Sequence, residues 1–317
     1  MKIKILNGLL LASTLVLSSL SPIGSTVSLA HDPAATPAPK PVMPEKMEIR
    51  DVDPALWVVK DEDTTIYLFG TVHVLRPGLS WFDEAVKDAF DESDKLILEI
   101  VDPPASEAQM AFGKYAPDST GTPLREKLAG ADRDNYDAAM KKLGIPAAAF
   151  DPLDPWAAAV TIQILAITKA GYDPNQGAEK QLTAAAKAAG KPIGAVETME
   201  GQLAIFDGLP QGDQLLFLNA STQDLGAITD GIDLMVDAWG AGDAEGLGKI
   251  INAGFTSPEL KAALLTRRNA QWAIWIDKRM KKPGTIFMAV GAGHLTGDVS
   301  LQKMLKPYGI TATRIKY

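Results

Sequence analysis

Histidine occurs three times in this chain, at positions 31, 73 and 294, and cysteine not at all. Two of the three histidines close the same phrase. An apolar, β-rich run ends in glycine and histidine follows three residues later: Thr65–Phe69 leads into Gly70-Thr-Val-His73, and Thr285–Val290 into Gly291-Ala-Gly-His294. Two carboxylates close further apolar runs, Glu99 after Lys95–Leu98 and Glu197 after Pro192–Val196. Imidazole nitrogen and carboxylate oxygen suit Zn, Mn, Co or Fe(II), and two His with one or two carboxylates form a common catalytic ligand set. In open α/β sheets ligands sit beyond the carboxyl ends of the strands, so these four side chains converge if their strands are parallel neighbours. Gly70, Gly291 and Gly293 are expected to permit positive φ and to let the backbone approach closely, turning each His over the sheet edge.

Arg268 completes the candidate set. It lies in a helix predicted from Pro258 to about Met280, whose apolar residues Leu264, Leu265, Trp272, Trp275 and Ile276 face the core. Arg268 shares that face, so it must reach a carboxylate or a ligand. Two roles stay open: an ion pair with Glu99 or Glu197, or stabilisation of an oxyanion. Glu99, inside apolar surroundings, needs a cation, either a basic side chain or a metal. Glu197 with Thr198 serves either the site or the cap of a helix starting near Met199. Asn269 adjoins Arg268.

The elements that position these residues follow from hydrophobic period. Leu56–Lys60 and Thr65–Phe69 flank the acidic turn Asp61-Glu62-Asp63 and read as a hairpin. Helices are predicted at 80–89 (capped by Ser80), 124–143, 156–170, 178–190, through most of 200–280, and at Val299–Leu305; a closing strand is predicted at Ile310–Ile315. The expected fold class is α/β, a mostly parallel central sheet flanked by helices with a long helical insert. The Gly240–Gly246 stretch follows no strand, so Asp243 as an N-cap explains it better than a dinucleotide loop. There is no Gly-x-Ser-x-Gly elbow and no His-Glu-x-x-His helix.

Composition is globular, 46% hydrophobic and 22% charged, and 39 acids against 31 bases make nucleic acid a poor partner. The absence of cysteine removes disulfides, thiolate metal sites and Cys nucleophiles. Residues 1–30 read as a secretory signal: Lys2 and Lys4, the apolar run Leu9–Leu20, and the small-residue close Ser28-Leu29-Ala30. Residues 31–47 read as a Pro/Ala-rich linker, and 48–317 as the functional domain. A bacterial periplasmic or secreted location is expected, with no membrane span after cleavage; Trp156–Ala170 is too short to span and reads as a buried helix.

The paired Gly-x-x-His phrases resemble the TraB/GumN family (TraB/PrgY/GumN, or Tiki-like). So do Leu98-Glu99, the stretch Gly190-Lys-Pro-Ile-Gly-Ala-Val-Glu197-Thr198, Arg268-Asn269 and Val290-Gly-Ala-Gly-His-Leu295. The likeness runs from about residue 55 to 317. It implies an α/β core like that of Tiki, erythromycin-esterase and ChaN proteins. It also implies a metal-dependent hydrolase site in which His73, His294 and Glu99 hold a divalent ion (Mn, Co, Zn or Fe). Glu99 and Arg268 would be catalytic, with Glu197, Asn269, Gly70, Gly291 and Gly293 in support. The implied substrate is a peptide or other acyl compound. Shared fold does not fix chemistry, so two rival readings stand beside it: a haem or small-ligand binding protein without turnover, and an accessory protein of envelope or polysaccharide assembly.

Overall fold

A computed structural model describes residues 49–317. The expected signal segment, the linker and His31 lie outside the described residues. Eight strands occur in chain order: β1 (Arg50–Asp51), β2 (Leu56–Lys60), β3 (Thr64–Thr71), β4 (Leu79–Ser80), β5 (Lys95–Leu98), β6 (Ile193–Ala195), β7 (Gly284–Gly291) and β8 (Thr313–Ile315). Six of them form one mixed sheet in the order β6-β5-β7-β3-β2-β8. β6, β5, β7 and β3 run parallel, while β2 is antiparallel to both β3 and β8. The fold is therefore α/β with a largely parallel sheet, as the sequence predicts. The hairpin is present in the pairing of Leu56 with Phe69 and Lys60 with Thr65.

Period-two alternation explains why the central strands read as unbroken apolar runs. In β7, Phe287 and Ala289 pack on one face with Phe69, Phe90 and Leu96. Ile286, Met288 and Val290 pack on the other with Ile66, Leu68, Ile97 and Trp272. Both faces are covered, the usual condition of parallel strands. A third core fills the helical insert around the helix Pro155–Lys169, which is buried on every side. Its Trp156 stacks on Phe206, which stacks in turn on Phe217. Among the described residues no helix is long and apolar enough to cross a membrane.

Several local expectations are corrected. Ser80 does not cap a helix: it pairs in β4 with β1, and the helix runs Glu84–Glu92 after Asp83. The span 124–143 is broken into a 3₁₀ turn Leu124–Lys127 and a helix Gly130–Leu143, with Leu128 and Ala129 extended between them. The helix Ala105–Tyr115 is a further element, without a strong apolar stripe because only Ala108 and Ala111 are buried. The expected cap at Asp243 is present and Ser257 caps the helix that starts at Pro258, each side chain accepting from a backbone N–H three residues on.

Candidate functional site

The four parallel strands end together, and the polar residues that follow them meet at that edge. The β5–β6 ladder continues one step past the strands, Glu197 N donating to Glu99 O at 2.8 Å, which sets the two carboxylates side by side. β7 delivers His294 on a 3₁₀ turn, Ala292–Leu295. β3 delivers His73, whose loop packs against the start of the helix Ala178–Ala188. A Cβ on Gly177 would lie 2.4 Å from His73 O, so only glycine permits that approach.

Arg268 comes from above the edge. The helix predicted from Pro258 to Met280 is present but contains a π turn, Ala262–Thr266, between α segments Pro258–Lys261 and Arg267–Arg279. Such widened turns recur at functional sites. Here Leu264 O, within the turn, accepts from Arg268 Nη1 at 3.1 Å. The remaining donors of the guanidinium are also engaged. Nε donates to Glu197 Oε1 at 2.9 Å, Nη2 to Glu197 Oε2 at 2.8 Å and to Glu99 Oε2 at 2.5 Å. Nη1 donates to His294 Nε2 at 3.0 Å. The ring of Trp272 lies beneath, 4.9 Å from the guanidinium carbon and 4.3 Å from the His294 ring.

Electrostatics follow from this packing. Burial alone would raise the Glu99 carboxyl, but Arg268, with His294 and His73, outweighs it and holds the group at about 2. Burial and the Arg268 charge push His294 down to about 3, so its imidazole is neutral. Its Nδ1 donates to Asn269 Oδ1 at 2.6 Å, because the Asn269 amide nitrogen is already directed at the carbonyls of His294 and Val299. His73 is raised: burial opposes its charge, and Glu179, with Nδ1 2.5 Å from Oε1, overcomes that penalty.

His73, Glu99, Glu197, Arg268, Asn269 and His294 are thus found within one constellation, but the glycines work differently from the expectation. Gly70, Gly291 and Gly293 do not have positive φ. They are there for close approach. A Cβ on Gly70 would meet Ala292 Cα at 3.0 Å, and one on Gly293 would meet Ile251 Cδ1 at 3.3 Å. One on Gly291 would meet Glu99 Oε1 at 3.0 Å, His73 Nε2 at 3.4 Å and His294 Cδ2 at 3.7 Å. The space before Gly291 Cα is where the polar groups converge. As for Glu197 and Thr198, the two readings divide between neighbours: Thr198 caps the helix Met199–Asp207 by accepting from Gly201 N, and Glu197 pairs with Arg268.

Sequence reasoning missed two members. Gln202, on that same helix, bridges the carboxylates, its Nε2 donating to Glu99 Oε2 at 3.0 Å and to Glu197 Oε2 at 2.9 Å. Glu179, on the helix Ala178–Ala188, also accepts from the Thr71 hydroxyl and so fixes one oxygen against His73 Nδ1. A partner of this kind sets ring tautomer and orientation. Glu179→Ala is expected to keep the fold and to lower any activity or metal affinity of the site by about 10–100-fold. Circular dichroism and nitrogen-15 spectra of the His73 ring check it; an unmoved ring signal would deny Glu179 that role.

In type and aim the donors suit a divalent cation. Each imidazole has Nδ1 turned to an oxygen, Glu179 Oε1 or Asn269 Oδ1, so the remaining ring nitrogen of each is Nε2. Glu99 Oε1 lies 3.7 Å from His294 Nε2 and accepts one bond, from Gly291 N at 2.6 Å. Among the described residues no three or more His, Asp or Glu side chains stand at ligand spacing as folded. The competing contact is Arg268 Nη1 on His294 Nε2.

Fold and site together define an α/β protein whose paired Gly-x-x-His turns share one sheet edge with a buried Glu–Arg–Glu cluster. The chain belongs to the TraB/PrgY/gumN family, whose sequence model matches residues 55–314. It is 25% identical over 254 residues to the protein YbaP of Escherichia coli K12, described as uncharacterized, covering 80% of this chain and 92% of that one. YbaP of Shigella flexneri, likewise described as uncharacterized, matches at the same identity and coverage. No solved structure matches.

Proposed function

We propose that this chain is an exported, metal-dependent hydrolase that cleaves an acyl or peptide bond at the carboxyl edge of the sheet. The observation that carries the reading is the convergence of His73 Nε2, Glu99 Oε1 and the His294 ring on the open space before Gly291. His73 and His294 would hold the ion, with Glu99 as a further ligand or as the general base. When bound, it lowers the pKa of a water molecule and polarises the scissile carbonyl.

The chain's own residues supply the rest. Acting as base rather than ligand, Glu99 would take the proton of the attacking water at Oε1, the oxygen on the side of Gly291. Glu179 and Asn269 orient the two imidazoles. Arg268 holds Glu99 and Glu197, and all five of its N–H groups are engaged. Withdrawal of Nη1 from His294 Nε2 would free the imidazole lone pair and one N–H donor for a developing oxyanion. Arg268 also lines an open groove between the helices Met199–Asp207 and Arg267–Arg279, which offers room for an extended substrate. The haem-binding alternative draws no support from the chamber beside His73 and His294, because about 70 Å³ is far too small for a porphyrin.

Metal analysis of purified protein together with a peptide- and ester-cleavage screen tests the proposal. Stoichiometric Mn, Co, Zn or Fe is expected in the parent and is expected to disappear in His73→Ala and His294→Ala, with circular dichroism unchanged. Equal metal in parent and both variants would overturn the ligand assignment. Export is tested separately by the intact mass of protein recovered from the cell envelope, expected to begin at His31; a full-length mass would overturn it.

A further inference from the structure

The polar edge faces a wall of a different kind. The chamber lined by His73, Glu99, Arg268 and His294 is also lined by Ile232, Met235, Ile251, Leu264 and Leu265. They come from three places: the helix Leu225–Gly240, the helix Ala244–Ala253 and the π turn before Arg268. None offers a side-chain donor, and the Met235 sulfur is only a weak acceptor, so the chamber suits a ligand polar at one end and aliphatic at the other. The cavity measures about 70 Å³. That is roughly half the ~150 Å³ that admits a benzene ring in an apolar protein cavity. The helix that carries Ile232 and Met235 is anchored beside them: Asp233 accepts from Tyr172 Oη at 2.5 Å and pairs with Arg76 at 3.1 Å, and Arg76 stacks on the Tyr172 ring.

We infer that this chamber is a specificity pocket for one compact, branched aliphatic group, of isopropyl or isobutyl size, attached to the carbonyl that the polar edge receives. The inference rests on the hydrolase reading for the word specificity, but the pocket itself is a binding site and is tested as one. Neutral primary amides are suitable probes, because they place a carbonyl at the polar edge without adding a charge beside Glu99. Acetamide, propionamide, isobutyramide, isovaleramide and benzamide would be titrated against protein labelled with nitrogen-15 in its three histidines. Each well-buried carbon is expected to raise affinity about fourfold up to the branched amides, and benzamide is expected to fall back by tenfold or more.

Met235, the half-buried member of the wall, allows the pocket to be resized without cutting into the core. Met235→Phe is expected to remove the preference for branched amides, so that isobutyramide and isovaleramide bind no more tightly than acetamide. Met235→Ala is expected to move the optimum toward benzamide. Equal affinity for acetamide and isovaleramide in the parent overturns the inference, as does an unchanged ranking in both variants. The two readings fail separately. Turnover that ignores the acyl group would sink the pocket and leave the hydrolase, whereas the expected ranking without turnover of any ester or amide would sink the hydrolase and leave the pocket.

Discussion

Arg268→Met is expected to be the most destabilising single change at the site, costing about 3–5 kcal/mol in urea or thermal melts. The substitution roughly preserves volume, so packing loss is small and the charge decides. Glu99 and Glu197 are 3% and 15% exposed at the side chain and share this one guanidinium. Without it, the buried Glu99 and the part-buried Glu197 lie side by side with no cation, only the Gln202 amide bridging them. Glu99→Gln is expected to cost less, about 1–3 kcal/mol, because Arg268 keeps its two-point contact with Glu197. The pH dependence has a definite sign. In the parent, Glu99 is held near 2 against an ordinary value of 4.5, so its stabilisation is present above that ordinary value and is lost as pH falls toward 2. In Arg268→Met the buried carboxyl is raised instead, so its penalty vanishes once it is protonated. The gap between parent and variant is therefore full at neutral pH and closes in acid. If Glu99→Gln proved as costly as Arg268→Met, the Glu99 charge would be scaffold, and its role as a base would be lost with it.

This hierarchy shows what was legible in the sequence. Strand-end chemistry was: each of His73, Glu99, Glu197 and His294 follows an apolar run, and parallel neighbours must bring such residues to one edge. Arg268 was legible too, because a charged residue on the Trp272 face of a helix demands a partner. Glu179 was not. Its helix carries an ordinary amphipathic pattern, and an acid in the first turn is explained equally well by the helix dipole. Its place beside His73 depends on how the helix docks on the β3 loop through Gly177, a tertiary fact. Gln202 was hidden for the same reason. The strand order was equally out of reach, since placing β7 between β3 and β5 is a matter of long-range pairing that no local period encodes. The glycines were legible by type and misread by cause: the expectation of positive φ gave way to close approach, which only the facing atoms can reveal.

That distinction yields the second large effect. Gly291→Ala is expected to leave the fold essentially intact and to lower turnover by about 100-fold or more. Gly291 has φ −50° and ψ 132°, a conformation alanine adopts freely, so the backbone has no reason to object. The added methyl instead enters the space before the site, 3.0 Å from Glu99 Oε1 and 3.4 Å from His73 Nε2. Glu99 cannot yield easily, since its other oxygen is held by Arg268 and Gln202, and His73 is held by Glu179. The methyl therefore displaces whatever the polar edge receives, metal or substrate. Gly70→Ala provides the opposite case. Its Cβ would lie 3.0 Å from the Cα of Ala292, backbone that cannot rotate away, so the expected loss is of stability, about 1–3 kcal/mol. Parallel melts and turnover assays of the two variants separate scaffold from site. A Gly291→Ala protein with full turnover would mean that the chemistry takes place somewhere other than the edge where the two Gly-x-x-His turns meet.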